Sequence, residues 1–127
     1  MQLRKMTMQD ADKMLEWKNY PETRQYAIVT HDEIKKEDHY KWLEQNLQYF
    51  QVIGDQMGAV RIQDGEISVW IDREHWSKGI AAYVLEQVCE IGMTARIVAG
   101  NVASMRAFIR AGFEPVSYYE NYYIFKR

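Results

Sequence analysis

The stretch from residue 66 to residue 82 limits the possible folds more than any other part of the chain. Its first part alternates apolar and polar residues like a strand, with Ile67, Val69 and Ile71 on one side. A short polar loop then closes on Ser77-Lys78-Gly79, and an apolar helical pattern follows. The first N–H groups of a helix have no intrahelical acceptor, and the helix dipole attracts negative charge to them. The stretch therefore predicts a site for an anionic group, such as a cofactor phosphate, at the start of the helix.

Length and composition narrow the class of protein. The chain has 127 residues, 47% of them hydrophobic and 27% charged, which is typical of a single globular domain over residues 1–127. The net charge is −2, which argues against nucleic acid as a partner. Cys89 is the one cysteine, so no internal disulfide can form. The amino-terminal residues are charged and no run approaches the roughly 20 apolar residues of a membrane span, so we expect a cytoplasmic protein without membrane contact.

Hydrophobic spacing and turn residues predict the order strand, two helices, three strands, helix, strand, helix, two strands. The predicted strands cover residues 1–6, 49–53, 57–62, 67–71, 95–99, 113–119 and 122–126. The predicted helices cover residues 10–18, 33–48, 79–92 and 101–111, and residues 20–30 form a loop or a bent second helix. The strand–helix–strand unit in the middle implies a parallel pair, whereas the flanking hairpins are antiparallel. We therefore expect a mixed α/β fold with a mostly antiparallel sheet and helices on both faces.

Two segments of the carboxy-terminal half resemble the GNAT family of acyl-CoA-dependent N-acyltransferases. Residues 71–81 (IDREHWSKGIA) are similar to the family's acetyl-CoA loop, with Gly79 and Ala81 at its small positions and Ile71 at its aliphatic position. Residues 101–113 (NVASMRAFIRAGF) are similar to its Asn-x-x-Ser segment, which ends in Gly-Phe. Trp76 departs from the pattern, since the family usually has Arg or Gln there. The resemblance implies the GNAT fold and acetyl-CoA as cosubstrate.

The resemblance also implies which residues bind acetyl-CoA. The backbone around Trp70 and Ile71 would pair with the pantetheine arm and stabilise the oxyanion, and Asn101 would bond the same arm. The remaining expected contacts are to the phosphates, from Ser77, Lys78, Gly79, Ile80, Ala81, Ser104 and Arg110. Two of these assignments have a plainer alternative, because Asn101 is also a natural helix cap and an arginine such as Arg110 often lies in solvent.

Short segments of the amino-terminal half resemble one subgroup of the family. Residues 17–24 (WKNYPETR) and 37–42 (EDHYKW) are similar to segments of acetyltransferases for nucleotide-linked 4-amino sugars and for ribosomal protein N-termini. This resemblance implies that Trp17, Asn19 and His39 bind the acceptor substrate. For His39, a helix-surface histidine paired with a neighbouring acid is the alternative.

The catalytic groups are harder to assign. An alkyl amine is mostly protonated near pH 7, so a base is expected. Glu66 is the first candidate because some relatives carry a catalytic glutamate near this point, although it also fits an ordinary residue after the Asp64-Gly65 turn. Phe108 stands where many relatives have an acid tyrosine, so we expect a tyrosine of the closing hairpin, Tyr118 first, to replace it. No role is assigned to the other two histidines, His31 and His75.

The sequence thus predicts an N-acetyltransferase that acts on a primary amine of a small molecule, such as a nucleotide-linked amino sugar. Acetylation of a protein N-terminus is the alternative within enzymes. A domain that binds acyl-CoA without transferring the acyl group is the alternative outside them, because of Trp76 and Phe108. One cysteine and three scattered histidines give no metal-ligand spacing, so no metal is expected. Either a monomer or a homodimer fits the sequence.

Overall fold

A computed structural model describes residues 2–28 and 32–127 of the chain. Seven strands are present in these ranges: β1 Leu3–Lys5, β2 Phe50–Ile53, β3 Gly58–Gln63, β4 Glu66–Ile71, β5 Thr94–Val98, β6 Glu114–Tyr119 and β7 Tyr122–Lys126. The α-helices are α1 Ala11–Asn19, α2 Pro21–Gln25, α3 Lys36–Asn46, α4 Ile80–Val88 and α5 Val102–Arg110. Single 3-10 turns cover Met8–Asp10, Leu47–Tyr49 and Arg73–His75. Within the described residues, no helix has the length and apolar character needed to cross a bilayer.

All seven strands form one mixed sheet in the order β1-β2-β3-β4-β5-β7-β6. β4 and β5 run parallel, and every other neighbouring pair is antiparallel. The meander of β2, β3 and β4, the parallel central pair and the closing hairpin of β6 and β7 confirm the predicted topology. The expectation of a mixed α/β fold with a mostly antiparallel sheet is therefore correct.

Helices cover both faces of the sheet, as the alternation along the strands requires. On one face, α4 and α5 pack on a core that includes Val60, Ile67 and Phe108. On the other face, α1 and α3 pack on a second core that includes Trp17 and Phe50. Because neighbouring residues of a strand point to opposite faces, β2 supplies Ile53 to the first core and Val52 to the second, and β3 likewise supplies Val60 and Ala59.

The boundaries of several predicted elements are wrong. The helix expected over residues 79–92 ends at Val88, because Cys89 is extended and its carbonyl accepts a hydrogen bond from the guanidinium of Arg127. Gly92 instead donates its N–H to the Arg127 carbonyl at 3.0 Å. The helix expected over 33–48 is shorter, from Lys36 to Asn46.

The segment predicted over 20–30 contains the short helix α2, which begins at Pro21, a residue preorganised for the first helical position. The remaining part of this prediction, residues 29 and 30, lies outside the described residues, as do Met1 and His31.

The central parallel pair is short, and this shapes the site. Its ladder consists of Glu66 opposite Thr94, with the Thr94 N–H donated to the Gly65 carbonyl at 2.9 Å. Beyond this pair β4 continues to bond to β3, and β5 continues to bond to β7. The two strands therefore diverge toward their carboxyl ends and leave a wedge-shaped opening in the sheet.

Candidate active site

A cleft of about 480 Å³ occupies the opening between β4 and β5. One wall is the end of β4, the base is the start of α4, the opposite wall is α5, and α2 lies along the mouth. Its lining residues include Glu22, Tyr26, Trp70, His75, Trp76 and Arg110. The cleft is thus built from elements distant in sequence, which the divergence of two strands brings together.

The start of α4 presents free backbone donors to the cleft. Gly79 caps the helix in the left-handed conformation, with φ at 75°, and Ser77 has φ at 63°. The first hydrogen bond of the helix runs from the Tyr83 N–H to the Gly79 carbonyl at 3.1 Å. The N–H groups of the first turn, up to Ala82, therefore precede the intrahelical ladder. Their arrangement suits a phosphate, because the donors and the positive end of the helix dipole point the same way.

Helix α5 supplies polar and small side chains to the opposite wall. Asn101 caps the helix, and its side-chain oxygen accepts a hydrogen bond from the Ser104 N–H at 3.4 Å. Asn101 and Ser104 line the cleft together with Arg110, whose guanidinium lies 3.9 Å from where a Cβ would stand on Gly79. A positive side chain therefore lies beside the free amides, which adds to the attraction for an anion.

Trp76 fastens the loop between β4 and α4. Its indole N–H donates to the Ile71 carbonyl at 2.8 Å, and its ring packs edge-on against Tyr20 at a centroid distance of 5.8 Å. The guanidinium of Arg73 lies over both rings, 4.3 Å from the Tyr20 centroid, and bonds Glu22 at 2.9 Å. The residue that departs from the family pattern thus stabilises the loop against the end of β4 and against α2.

Sequence reasoning missed the residues of α2 and of the 3-10 turn. Glu22, Thr23 and Tyr26 reach the cleft from α2, and His75 reaches it from the turn. A helix of five residues is too short to show a hydrophobic period, so no pattern could have placed α2 at the mouth. His75 had no recognisable partner in the sequence, and its position follows only from the loop geometry.

The structure brings the expected cofactor residues together. Those that line the cleft are Trp70, Ile71, Ser77, Gly79, Ile80, Ala81, Asn101, Ser104 and Arg110. Lys78 lies next to it, in a shallow depression of about 300 Å³ that also includes Tyr83, Glu86 and Arg110. Phe108 lines the cleft as well, and it is buried against Phe113 with the two ring centroids 5.0 Å apart.

The residues expected at an acceptor site lie elsewhere. Trp17 is fully buried and donates its indole N–H to Asp72 at 2.9 Å. The Asn19 side chain bonds both backbone groups of Ile34, at 2.8 and 3.0 Å, and so joins the end of α1 to the segment before α3. The first contact joins α1 to the residue after β4, the second joins α1 to the segment before α3, and neither side chain lines the cleft.

His39 is buried between α3 and α1, where its Nε2 lies 3.1 Å from the Ala11 carbonyl. Burial, together with the positive charge of Lys18, lowers the pKa of His39, so the imidazole is neutral at pH 7. The structure therefore differs from both sequence alternatives, the acceptor site and the surface ion pair. A histidine on a helix can be buried in this way when its ring packs in the core and one ring nitrogen bonds a backbone carbonyl.

The two expected catalytic residues are also outside the cleft. Glu66 begins β4 and its carboxylate pairs with Arg96 on β5, with one contact of 2.9 Å. The cleft lies at the other end of the strand, about 15 Å away at the rise of a β-strand. Tyr118 is 54% exposed on the outer strand β6, where its ring lies against Tyr123 at a centroid distance of 4.6 Å.

A metal centre has no support in the described part of the chain. Among residues 2–28 and 32–127, no group of three or more His, Cys, Asp or Glu side chains is placed to hold a metal ion. Cys89 is buried, and burial raises the pKa of its thiol to about 11. Among the described residues, the polar groups that line the cleft are backbone amides, two arginines, one carboxylate, one imidazole, the phenol of Tyr26, the amide of Asn101 and the hydroxyls of Thr23, Ser77 and Ser104.

Comparison with known proteins agrees with this geometry. A family model described as an acetyltransferase (GNAT) domain matches residues 1–114. A solved domain from Methanocaldococcus jannaschii superposes with a TM-score of 0.82 at 20% identity, over 99% of this chain and 96% of that one.

Two further solved structures show the same fold. A ribosomal-protein-alanine N-acetyltransferase from Brucella melitensis has a TM-score of 0.74 at 18% identity, over 100% of this chain and 99% of that one. The protein yncA from Salmonella typhimurium, solved with its cofactor acetyl-CoA, has a TM-score of 0.71 at 20% identity, over 98% and 90%. No curated protein sequence matches the chain.

Proposed function

The chain belongs to the acetyltransferase (GNAT) family, and on this premise we propose that it transfers an acetyl group from acetyl-CoA to a primary amine. The observation that carries the proposal is the cleft between the diverging strands β4 and β5, with the free amides of α4 at its base. A long thioester with a phosphate-bearing end fits both parts of this cleft. The solved structure of yncA with acetyl-CoA supports the choice of cofactor.

The phosphates of acetyl-CoA would bind at the start of α4. The N–H groups of Ile80, Ala81 and Ala82 offer donors, and Arg110 offers a positive charge beside them. Gly79 has no Cβ, so a phosphate can approach its backbone closely. The pantetheine arm would then run between β4 and β5, where Trp70 and Ile71 supply backbone groups and Asn101 supplies a side-chain amide.

The chemical step follows from that position. The amine nitrogen attacks the thioester carbonyl carbon, a C–N bond forms, and the carbonyl electron pair moves to the oxygen. Backbone N–H groups near Trp70 and Ile71 stabilise this oxyanion. The intermediate then collapses, the C–S bond breaks, its electron pair leaves on sulfur, and the surplus proton on the nitrogen passes to the leaving thiolate or to water. Phe108 has no proton to donate, and a thiol pKa near 8.5 makes the thiolate an acceptable leaving group without an acid.

The amine must lose a proton before it attacks. Glu22 and His75 are the groups at the mouth of the cleft that can accept a proton, directly or through water. We assign the base to this pair in place of Glu66, whose carboxylate pairs with Arg96 at the far end of β4. Glu22 also pairs with Arg73 at 2.9 Å, and this contact fixes the position of its carboxylate at the mouth of the cleft.

The acceptor that suits the cleft is a small molecule with one amine. Among the described lining residues there is one carboxylate, that of Glu22, so a polycationic acceptor would find little compensation. The aromatic rings of Tyr26, Trp70 and Trp76 offer flat surfaces against which a sugar or a nucleobase can pack. A nucleotide-linked amino sugar combines a single amine, a sugar ring and a base.

Acetylation of a protein N-terminus is the second candidate. The Brucella melitensis ribosomal-protein-alanine N-acetyltransferase supports it, because its fold covers the entire chain. A peptide N-terminus and an amino sugar differ in the groups around the amine. Comparing the acetylation rates of the two substrates therefore distinguishes the two candidate functions.

The experiment is a thiol-release assay over a panel of acceptors. The panel contains a nucleotide-linked amino sugar, the free amino sugar, a simple alkyl amine and a peptide with a free N-terminal alanine. Cys89 is buried with a raised pKa, so the native protein adds little background to a thiol reagent. Release that is fastest with the nucleotide-linked sugar supports the first candidate, and release that is fastest with the peptide supports the second. Acetyl-CoA binding without release above buffer for any amine would identify a binding domain and contradict transfer.

The proposed base has a separate test. Glu22→Gln and His75→Asn should each change the acid limb of the pH profile of kcat/KM, by removing an apparent pKa or lowering the plateau at least tenfold. Glu74→Gln is the matched control, since Glu74 lies in the same 3-10 turn but outside the cleft lining. Profiles of all three variants that coincide with the wild type would remove Glu22 and His75 from the mechanism.

A further inference from the structure

A buried pair joins helix α1 to the loop that precedes α4. The indole N–H of Trp17 donates to the Oδ2 atom of Asp72 at 2.9 Å. Trp17 is 0% exposed and Asp72 is 7% exposed. A buried carboxylate is costly unless hydrogen bonds compensate it, so its partners define where it can lie.

The other contacts of Asp72 hold the beginning of the loop. Its Oδ1 atom accepts a hydrogen bond from the Glu74 N–H at 3.1 Å and so caps the 3-10 turn. Its own N–H donates to the Met57 carbonyl at 2.8 Å, and its carbonyl accepts from the His75 N–H at 2.8 Å. The Nζ atom of Lys13, also on α1, lies 3.6 Å from Oδ2. Asp72 is thus fixed to the residue before β3, to α1 and to the turn at once.

The loop needs such support because of its backbone. It ends in two left-handed residues, Ser77 at φ 63° and Gly79 at φ 75°. A left-handed conformation costs a non-glycine residue about 1 kcal/mol, and it persists only where the surroundings determine it. Trp76 supplies one support through the Ile71 carbonyl. The pair of Trp17 and Asp72 supplies the other, at the beginning of the loop.

We propose that Trp17 and Asp72 act as a positioning pair that holds the loop of residues 72–79 in the conformation that binds the cofactor phosphates. This rests on the proposed binding of acetyl-CoA. Trp17 touches neither substrate, and it acts through Asp72 on the direction of the amides at the start of α4. Trp17, which the resemblance places at an acceptor site, therefore supports the cofactor site through Asp72.

The test combines Trp17→Phe, which removes the indole N–H, with Asp72→Asn, which has nearly the size of Asp72 and keeps one accepting oxygen. Each single variant should raise the Kd of CoA, measured by titration calorimetry, about tenfold. In turnover, the KM for acetyl-CoA should rise while the KM for the amine stays within twofold. The Kd of CoA for the double variant should be no higher than that of the single variant that binds more weakly, because both substitutions break the same interaction.

Val52→Ala is the matched control. Val52 is fully buried in the same core as Trp17 but lies on β2, away from the loop. It should lower the free energy of unfolding and leave the Kd of CoA within twofold. An equal rise in Kd for Val52→Ala and Trp17→Phe, or additive effects in the double variant, would show that the pair only stabilises the fold and would overturn the inference.

Amide NMR shifts of the ligand-free proteins separate this inference from the proposed function. Trp17→Phe should move the resonances of Ser77, Lys78 and Gly79, and Val52→Ala should not. If the wild type bound no CoA while these shifts still moved, the proposed function would fail and the effect of the pair on the loop would stand. Unmoved loop resonances in Trp17→Phe would refute the positioning role whatever the wild type binds.

Discussion

A negative charge at Gly79 should abolish the affinity for the cofactor. Gly79 caps α4 at φ 75°, and among the described residues, apart from its chain neighbours, the one heavy atom within 4 Å of an added Cβ is Nη1 of Arg110, at 3.9 Å. A side chain therefore has room here, and the changes Gly79→Asp and Gly79→Asn differ mainly in charge. Asn and Asp both tolerate the left-handed conformation better than other residues, so the backbone cost is shared.

The size of the effect can be worked out from the geometry. A carboxylate about 5 Å from a phosphate charge, at an effective dielectric constant near 20, is repelled by about 3 kcal/mol. The same carboxylate would attract Arg110 and remove part of its charge from the phosphates. Screening by solvent reduces both effects, so we expect the Kd of CoA to rise at least 100-fold in Gly79→Asp. Gly79→Asn should raise it less than tenfold.

The assay is calorimetric titration with CoA at two ionic strengths, with unfolding measured in parallel. The difference between the two variants should shrink at high salt, because it is electrostatic. Equal affinities for Gly79→Asp and Gly79→Asn would show that the phosphates do not lie at the start of α4. Unfolding curves that coincide would show that the difference in affinity does not come from a difference in stability.

Two further predictions concern the stability of the fold. Gly58→Ala should lower the free energy of unfolding by about 2 kcal/mol or more, because its Cβ would overlap the backbone carbonyl oxygen of Trp70. Gly65→Ala, at an open turn with φ 78°, is the control and should cost only about 1 kcal/mol; denaturation showing equal losses would contradict the crowding at Gly58. The hydrogen bond from Arg4 lowers the pKa of Asp10 from 3.8 to about 2, so this carboxylate stabilises the fold above pH 4 and the gain disappears as the pH falls toward 2. Asp10→Asn should remove about 1 to 2 kcal/mol of this pH-dependent stability, a value reduced for solvent screening because the side chain of Arg4 is 47% exposed. Parallel curves of unfolding free energy against pH for the two proteins between pH 5 and 2 would argue against this role of Asp10.

The cofactor half of the site could be predicted from sequence because its determinants are local. The strand, the loop and the helix start are contiguous from Glu66 to Ala82, and Asn101 follows the next strand directly. Backbone amides at a helix start need no partner from elsewhere in the chain. The pattern therefore indicated an anion site at the start of α4, and the resemblance to the family indicated Gly79, Asn101 and Arg110, which line one cleft in the structure.

The contacts of the residues expected to bind the acceptor or to act as the base could not be predicted, because these contacts depend on long-range packing. Trp17 and Asp72 are 55 residues apart, and only the folded chain shows that the indole bonds this carboxylate. Glu66 has the charge of a base, but its pairing with Arg96 follows from the register of β4 against β5. A short motif indicates that a residue matters, and the fold determines what the residue contacts.

The central claim is that acetyl-CoA binds between β4 and β5 with its phosphates at the start of α4. Titration of the isotope-labelled wild type with CoA, followed by amide NMR, tests this most directly in a chain of 127 residues. We predict saturable shifts that cluster at Trp70 and Ile71, at residues 77–82 and at residues 101–104. Shifts that are absent at millimolar CoA, or that cluster outside the cleft, would contradict the claim.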